Sequence, residues 1–299
     1  NLILEFWDRK KELGMNNKKY RDFVNKFFNL LFKNDFSNSD ITTNSLIKDK
    51  TVTAYIVAKE DGIIAGLEEF GFLNKDLELK FLKKDGDKIK NNEIIVEASG
   101  SAEKILSRER INLNLLQRMS GIATLTNRLN IIVNNEVYIA ATRKTLWGSL
   151  DKKAVSFGNG LTHRLNLSDG IIIKDNHLKI INYDFEKAID SVKNKSKYIE
   201  MEIEDKKQAL NAAKAMKKIS NRSNKNLFAI MLDKIPPQKI KAIIQNFKNQ
   251  NLYEHVLLEA SGNINPENVY EYADCGVDII SIGYLTNSAE VLNMSLEIK

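Results

Sequence analysis

One cysteine, Cys275, stands in 299 residues. That excludes an internal disulfide framework and a cysteine-based metal cluster, and the residue is expected to pack as a small apolar side chain on a helix. Long hydrophobic runs are missing as well. Nothing approaches the roughly eighteen uninterrupted apolar residues of a membrane span, so none is expected. The opening stretch, Asn1 to Trp7, lacks the cationic start and small-residue cleavage site of a secretory signal. A cytoplasmic location is therefore expected. Position 1 is not Met, so the true start is expected to be missing or trimmed. Histidine is scarce, with three in all: His163, His177 and His255.

What is present suits a globular enzyme, 43% apolar and 28% charged. A chain this long buries a substantial core, in one large or two unequal domains. The net charge of +6 and the pI near 9.0 raise the question of nucleic acid. The lysines are scattered, however, and many stand near acids, so neither nucleic acid nor a membrane is an expected partner. One stretch differs. Between Thr142 and Lys179 there are seven Lys/Arg against three acids, and two of the three histidines fall there. Cations beside apolar segments, rather than on a polar helix face, suggest a pocket for a strongly anionic small molecule.

Residues 18–33 place Tyr20, Phe23, Val24, Phe27, Phe28, Leu30 and Leu31 at helical spacing. Short β-like runs follow at 51–58, 62–67, 77–82 and 93–98, the last two joined by a turn at Lys84-Asp85-Gly86-Asp87. This part reads as a small α+β domain with an antiparallel sheet. A long helix is expected from Arg108 to about Val133. Beyond it, apolar strands at 137–141, 170–173, 198–203, 227–232, 256–260 and 278–282 alternate with helical stretches. Repeated βα units imply a parallel sheet, and this many in so short a span imply an α/β barrel.

Catalytic groups of such barrels sit where the strands end. Here the ends carry Arg143 and Lys144, Lys174, Glu200 and Glu202, Asp233, Glu259 and Ser261, then Ser281 and Gly283. Glu200 and Glu202 are two apart on an apolar strand and share a face. Buried, they need cations, a metal or donors, Lys174 being one candidate. With Asp233 they can hold Mg²⁺ through oxygen, or contact sugar hydroxyls. Ser261-Gly262 and Ser281-Ile282-Gly283 suit a phosphate, which glycine lets backbone N–H groups approach. Gly158-Asn159-Gly160 is either another anion nest or a loop. Lys174 is either a Schiff-base nucleophile or a permanent cation, and its cationic surroundings favour the second. His177 is either an acid/base or a donor at a helix entry, and Trp147 is read as core.

The strings Arg108 to Thr124, Thr142-Arg143-Lys144-Thr145, His163-Arg164, Ile173 to His177, Leu258 to Gly262 and Ser281 to Gly283 resemble the quinolinate phosphoribosyltransferases, also called nicotinate-nucleotide pyrophosphorylases (carboxylating). The likeness runs from Ser39-Asp40-Ile41-Thr42-Thr43 through Lys59–Gly66 to Leu285–Ser288. It implies an N-terminal α+β sandwich domain, residues 1–107, followed by an incomplete α/β (TIM-like) barrel, residues 108–299, whose last residues pack back on the first domain. It implies a homodimer and the joining of quinolinate to phosphoribosyl pyrophosphate with Mg²⁺, giving nicotinate mononucleotide, pyrophosphate and CO₂. Arg110, supplied across the dimer, and Arg143, His163, Arg164 and Lys174 are the implied quinolinate ligands. Lys144, Glu202, Asp233, Ser261, Gly262 and Gly283 are the implied phosphoribosyl pyrophosphate ligands, with Glu202 and Asp233 toward the metal. Lys144, Lys174, Glu202 and Asp233 are the implied catalytic groups.

The chain departs from the family pattern at Ala141, at Leu146-Trp147-Gly148, at Gly158-Asn159-Gly160-Leu161-Thr162 before His163-Arg164, at Lys234 and in a polar insertion at Ser220–Lys225. The first two bear on the acceptor. The alternatives are a relative of the molybdenum-transport-associated type with another aromatic-acid acceptor, a Schiff-base lyase using Lys174, and a family member without activity.

Overall fold

The computed structural model describes residues 1–36, 39–220 and 226–298. The contacts divide the chain into two compact units: residues 10–128, 146–159 and 288–299 form one, and residues 1–9, 129–145 and 160–287 the other. Both differ from a single boundary at 107/108. The reason lies in the long helix, which runs Ala102–Ile132 and starts earlier than Arg108 because 102–107 are mostly good helix formers. Its apolar face belongs with the small sheet. Met119 Sδ would lie 3.1 Å from a Cβ on Gly66, and the amides of Ile63 and Ala65 donate to Thr124 Oγ1 and Ser120 Oγ at 2.9 and 3.0 Å.

The first unit carries β1 (Thr51–Ala58), β2 (Gly62–Ile63), β3 (Glu78–Phe81), β4 (Lys88–Ile89) and β5 (Ile94–Ser101), together with β12 (Met294–Ile298). Its sheet runs β12-β1-β5-β3, antiparallel throughout, and β2 pairs with β4. The helix Lys18–Phe36 buries Tyr20, Val24 and Phe28, four apart on one face. Trp147 packs in this unit against Phe27 and Phe28, with ring centroids 5.4 and 6.1 Å away, which is the core role expected of it. Asp151 is fully buried. It takes both nitrogens of an Arg118 fork at 2.8 Å and the amides of Leu146 and Trp147 at 2.9 Å. Gly158 ends the helix Ser149–Phe157 by close packing, since a Cβ there would lie 2.3 Å from Ala123 O. Gly158 thus has a packing role, and Asn159, at φ +64°, continues the chain as a turn.

The second unit holds β6 (Tyr138–Ala140), β7 (Ile171–Ile173), β8 (Tyr198–Ile203), β9 (Leu227–Asp233), β10 (Leu257–Ser261) and β11 (Ile279–Ser281). They form one parallel sheet in the order β6-β11-β10-β9-β8-β7. Leu161 bridges to Ala140 beyond β6. Among the described residues nothing pairs with the outer edge of β7, so the barrel is incomplete. Strands buried on both faces read as apolar runs, which is why residues 227–232 were visible as a strand.

The register shows which face is the interior. Ala140, Ala229 and Ile279 converge with Leu161, Phe6 and Trp7, and Tyr138, Tyr198, Leu227 and Leu257 pack around them. The helix Leu2–Trp7 thus closes the amino-terminal end of the barrel, with Trp7 fully buried. Residues further along the same inward rows are Glu200 and Glu202, Met231 and Asp233, Glu259 and Ser261, and Ser281. Cys275 follows the helix Val269–Ala273 and is buried, and burial pushes its thiol up to about 11. Among the described residues no helix is long and apolar enough to cross a membrane. Most of the polar insertion, residues 221–225, lies outside the described residues.

Candidate active site

The carboxyl ends of the strands form an upper tier. Lys174 follows β7, and its Nζ lies 2.9 Å from Glu202 Oε2 on β8. Asp233 ends β9 and stands in register with Ser261, which ends β10. Gly262 and Asn263 then take left-handed angles, φ +90° and +57°. A Cβ on Gly262 would lie 2.7 Å from Asp233 Oδ1 and 2.8 Å from Lys234 N, so glycine is required for the turn to pass this carboxylate. Lys234 closes the turn. Its amide donates to Ser261 O at 2.8 Å, and its Nζ lies 3.0 Å from Asp233 Oδ2, a bond that raises the amine's pKa. Gly283, after β11, faces Lys144, whose Cδ would lie 3.0 Å from a Cβ there. The Lys144 backbone is held by Thr142 Oγ1 and Thr286 Oγ1, at 3.0 and 2.8 Å. Arg143, Lys144 and Lys174 are exposed.

One position down the same inward rows is a lower tier, closed to solvent. Glu200 and Glu259 are fully buried, and His163 stands between them. Its Nε2 lies 3.4 Å from Glu200 Oε2 and 3.3 Å from Glu259 Oε2. Trp7 Nε1 donates to the same Glu259 oxygen at 2.5 Å. On the other side of the ring, Nδ1 accepts the Arg164 amide at 2.7 Å. Burial opposes a charge on the imidazole, and Glu259 and then Glu200 favour one. Glu200 is pushed up to about 7, by burial first and then by Glu259. The Arg164 amide aimed at Nδ1 leaves a second ring proton no place, so the imidazole is neutral and its proton lies on Nε2, toward the carboxylates.

Arg164 links the tiers. Its Nη1 donates to Gly170 O at 3.1 Å, while its Nε is buried with no partner. Burial, and then the neighbouring charge of Arg143, lower its pKa. Two guanidinium groups held close enough to repel, one with an unpartnered buried donor, call for an anion.

Two residue sets have metal-ligand chemistry. Glu202 and Asp233 offer oxygen alone at neighbouring strand ends, their side chains keeping 12% and 13% of their surface. This fits Mg²⁺, whose other positions would go to phosphate and water. His163, Glu200 and Glu259 bring ligand atoms within 4.8 Å of one another. That set does not fit, because an imidazole with Nδ1 occupied and a proton on Nε2 has no lone pair for a metal.

Most expected site residues therefore meet in one unit, with three corrections. Glu200 does not pair with Lys174, because one strand residue separates it from Glu202 and only Glu202 reaches the mouth. His163 is not free to grip an acceptor, since both ring nitrogens are engaged inside the barrel. His177 does sit at a helix entry, but as an acceptor there: its Nδ1 takes the Lys174 amide at 2.9 Å where the helix Asp175–Ile180 begins. Arg110 is exposed on the long helix of the other unit, and Ala141 is fully buried. Lys174, exposed and paired with a carboxylate, is not the desolvated amine that Schiff-base chemistry favours. The roles of Trp7 and Glu259 were missed. The signal for Glu259 was its inward spacing from Ser261; Trp7 had none.

Comparison with known proteins decides the family. Residues 122–297 match the model of the quinolinate phosphoribosyl transferase C-terminal domain, and residues 40–120 match that of its N-terminal domain. The chain belongs to the quinolinate phosphoribosyltransferase family. It is 37% identical over 280 residues to the probable nicotinate-nucleotide pyrophosphorylase (carboxylating) of Methanothermobacter thermautotrophicus, covering 90% of this chain and 96% of that one. It is 37% identical over 276 residues to the chloroplastic carboxylating enzyme of Arabidopsis thaliana, covering 87% and 78%. Its fold matches solved nicotinate-nucleotide pyrophosphorylases from Francisella tularensis, with TM-score 0.80, 29% identity and coverage of 93% and 96%, and from Ehrlichia chaffeensis, with TM-score 0.79, 32% identity and coverage of 92% and 98%. Residues 1–39 precede the span matched by the two family models.

Proposed function

We propose that this chain transfers the phosphoribosyl group of phosphoribosyl pyrophosphate to the ring nitrogen of quinolinate, yielding nicotinate mononucleotide, pyrophosphate and CO₂ for NAD biosynthesis. The observation that carries the acceptor assignment is the pair of repelling guanidinium groups, Arg143 and Arg164, the latter with its unpartnered buried Nε. Quinolinate carries two adjacent carboxylates, and Arg143, Arg164 and Lys174 supply cations to hold them, planar and bidentate in the arginine case. His163 stands behind them.

Lys144, Ser261, Gly262 and Gly283 hold the phosphate groups in this reading, with the glycine turns letting the backbone come close. Glu202 and Asp233 would hold Mg²⁺, which would supply charge neutralisation for the departing pyrophosphate. The ring nitrogen forms its bond to the ribose C1′ as the bond from C1′ to the pyrophosphate oxygen breaks. Positive charge builds on the sugar, and Glu202 and Asp233 stabilise it. The carboxylate next to the ring nitrogen then leaves as CO₂. Its electron pair stays on the ring carbon, offset by the pyridinium charge, until a proton takes its place. A homodimer in which Arg110 reaches the partner's site, and a cytoplasmic location, belong to this proposal.

The test is turnover with phosphoribosyl pyrophosphate and Mg²⁺, offering quinolinate, nicotinate and other aromatic acids in turn. Quinolinate-dependent release of CO₂ and pyrophosphate in equal amounts is expected. Mononucleotide formation with another acid and not with quinolinate would move the chain to the other-acceptor reading.

A further inference from the structure

We infer that Trp7 is a positioning residue for acceptor binding, acting through Glu259 and His163 on the placement of Arg164. The inference rests on the acceptor role proposed for Arg164. The contacts form one continuous chain. The Trp7 indole donates to Glu259 Oε2 at 2.5 Å, that oxygen faces His163 Nε2 at 3.3 Å, and His163 Nδ1 accepts the Arg164 amide at 2.7 Å.

The same N-terminal residues brace the rest of the loop. The Arg9 amide donates to Thr162 Oγ1 at 2.7 Å, and its Nε bonds Asp169 Oδ1 at 2.8 Å. Asp169 Oδ2 in turn accepts the Leu165 amide at 2.9 Å. Thr162 and Asp169, near the two ends of this segment, are thus tied directly to residues 7–9. The bracing has a physical need, because His163 holds φ +55°, a conformation an imidazole-bearing residue seldom adopts unless its surroundings impose it.

Packing alone does not explain the tryptophan. Its ring fills the floor beside Ala140, Leu161, Ala229 and Ile279, a job phenylalanine also does. What phenylalanine lacks is the N–H. Without it Glu259, whose Oε1 already has no partner, loses the indole donor on Oε2 and is left with His163 and, more loosely, Ser281. The carboxylate is then free to turn, and the imidazole with it.

The test combines steady-state kinetics of Trp7→Phe with ¹⁵N NMR of the histidine rings in the unaltered protein. The variant is expected to raise KM for quinolinate about tenfold, leaving KM for phosphoribosyl pyrophosphate unchanged, while the unfolding midpoint falls because a buried carboxylate loses its donor. The NMR is expected to show one buried histidine with Nδ1 unprotonated and Nε2 protonated at neutral pH. Unchanged KM for quinolinate, or an equal rise for both substrates, would overturn the inference. So would a buried His163 protonated at Nδ1, which the NMR decides even if the variant fails to fold. If the unaltered protein turns over no quinolinate, the functional reading fails instead, and the ring nitrogens still report on the chain of contacts.

Discussion

Replacing Arg143 and Arg164 by alanine, singly, probes the acceptor site most directly, and the structure makes the two unequal. Arg164 is 7% exposed, whereas Arg143 is exposed. Truncating a desolvated cation opposite a carboxylate costs about 2–5 kcal/mol; at about 3 kcal/mol, KM for quinolinate rises roughly 150-fold. An exposed, solvent-screened pair is worth up to about 1 kcal/mol, or roughly fivefold. Raising salt should shrink the Arg143 effect more than the Arg164 effect. Arg164→Ala also loses the bond to Gly170 O, so its unfolding midpoint should fall while that of Arg143→Ala does not. Lysine at 164 should recover part of the loss, since it restores charge without the planar fork. Lys144→Ala should raise KM for phosphoribosyl pyrophosphate and spare quinolinate. The assay is initial-rate CO₂ and pyrophosphate release with each substrate varied in turn. Equal rises in both KM values across all three alanine variants, or a larger effect at Arg143 than at Arg164, would refute the reasoning.

Three other outcomes follow from the first unit and from the assembly. Asp85 accepts the amides of Leu67 and Glu68, and burial, aided by Glu69, raises its pKa to about 6. A carboxyl raised on folding contributes stability below its unfolded value and loses it as pH rises through about 6. Urea unfolding should therefore show Asp85→Asn gaining on the parent between pH 4 and 7, and a constant difference would contradict this. Gly158→Ala should cost about 1–3 kcal/mol by the same measurement, because its Cβ meets the backbone at Ala123 O, and a neutral result would dismiss the packing role. Inactive Arg110→Ala and inactive Lys174→Ala subunits, mixed, should recover activity if each site draws on two chains, and no recovery in proven mixed dimers would reject the shared site.

The parts of the fold legible in the sequence were those with a repeated local signal. The Ile-rich and Leu-rich strands declared themselves because both faces of a parallel sheet are apolar. The helix Lys18–Phe36 declared itself through its four-residue spacing. The division of the chain was not legible, because it depends on where the helix Ala102–Ile132 lays its face and on β12 returning to β1 from the far end of the sequence. Nor was the lower tier. Trp7 and Glu259 lie 252 positions apart, and nothing local to Trp7 distinguishes a floor residue from any apolar start. His163-Arg164 looked like two adjacent grips on one anion. Neighbours in sequence need not face the same way, and the left-handed backbone at His163 turns the ring inward while Arg164 keeps an open donor.

The spacing of Glu200 and Glu202 carries the argument furthest. Two residues along a strand keep both carboxylates on one face but separate them by about 6.5 Å. At the mouth, that distance leaves Glu202 partly open and paired with the mobile cation of Lys174, where it can exchange partners with a substrate. One tier down, Glu200 is sealed beside His163 and Glu259, where exchanging partners would mean burying a new charge. Identical residue types on identical faces thus divide, in the proposed function, between work on the substrate and support of the loop beneath it, and depth in the barrel is what divides them. A substitution that shortens either side chain should expose the difference: Glu202→Asp should act on turnover with little change in unfolding, and Glu200→Asp should loosen the His163 cluster and lower stability before it touches chemistry.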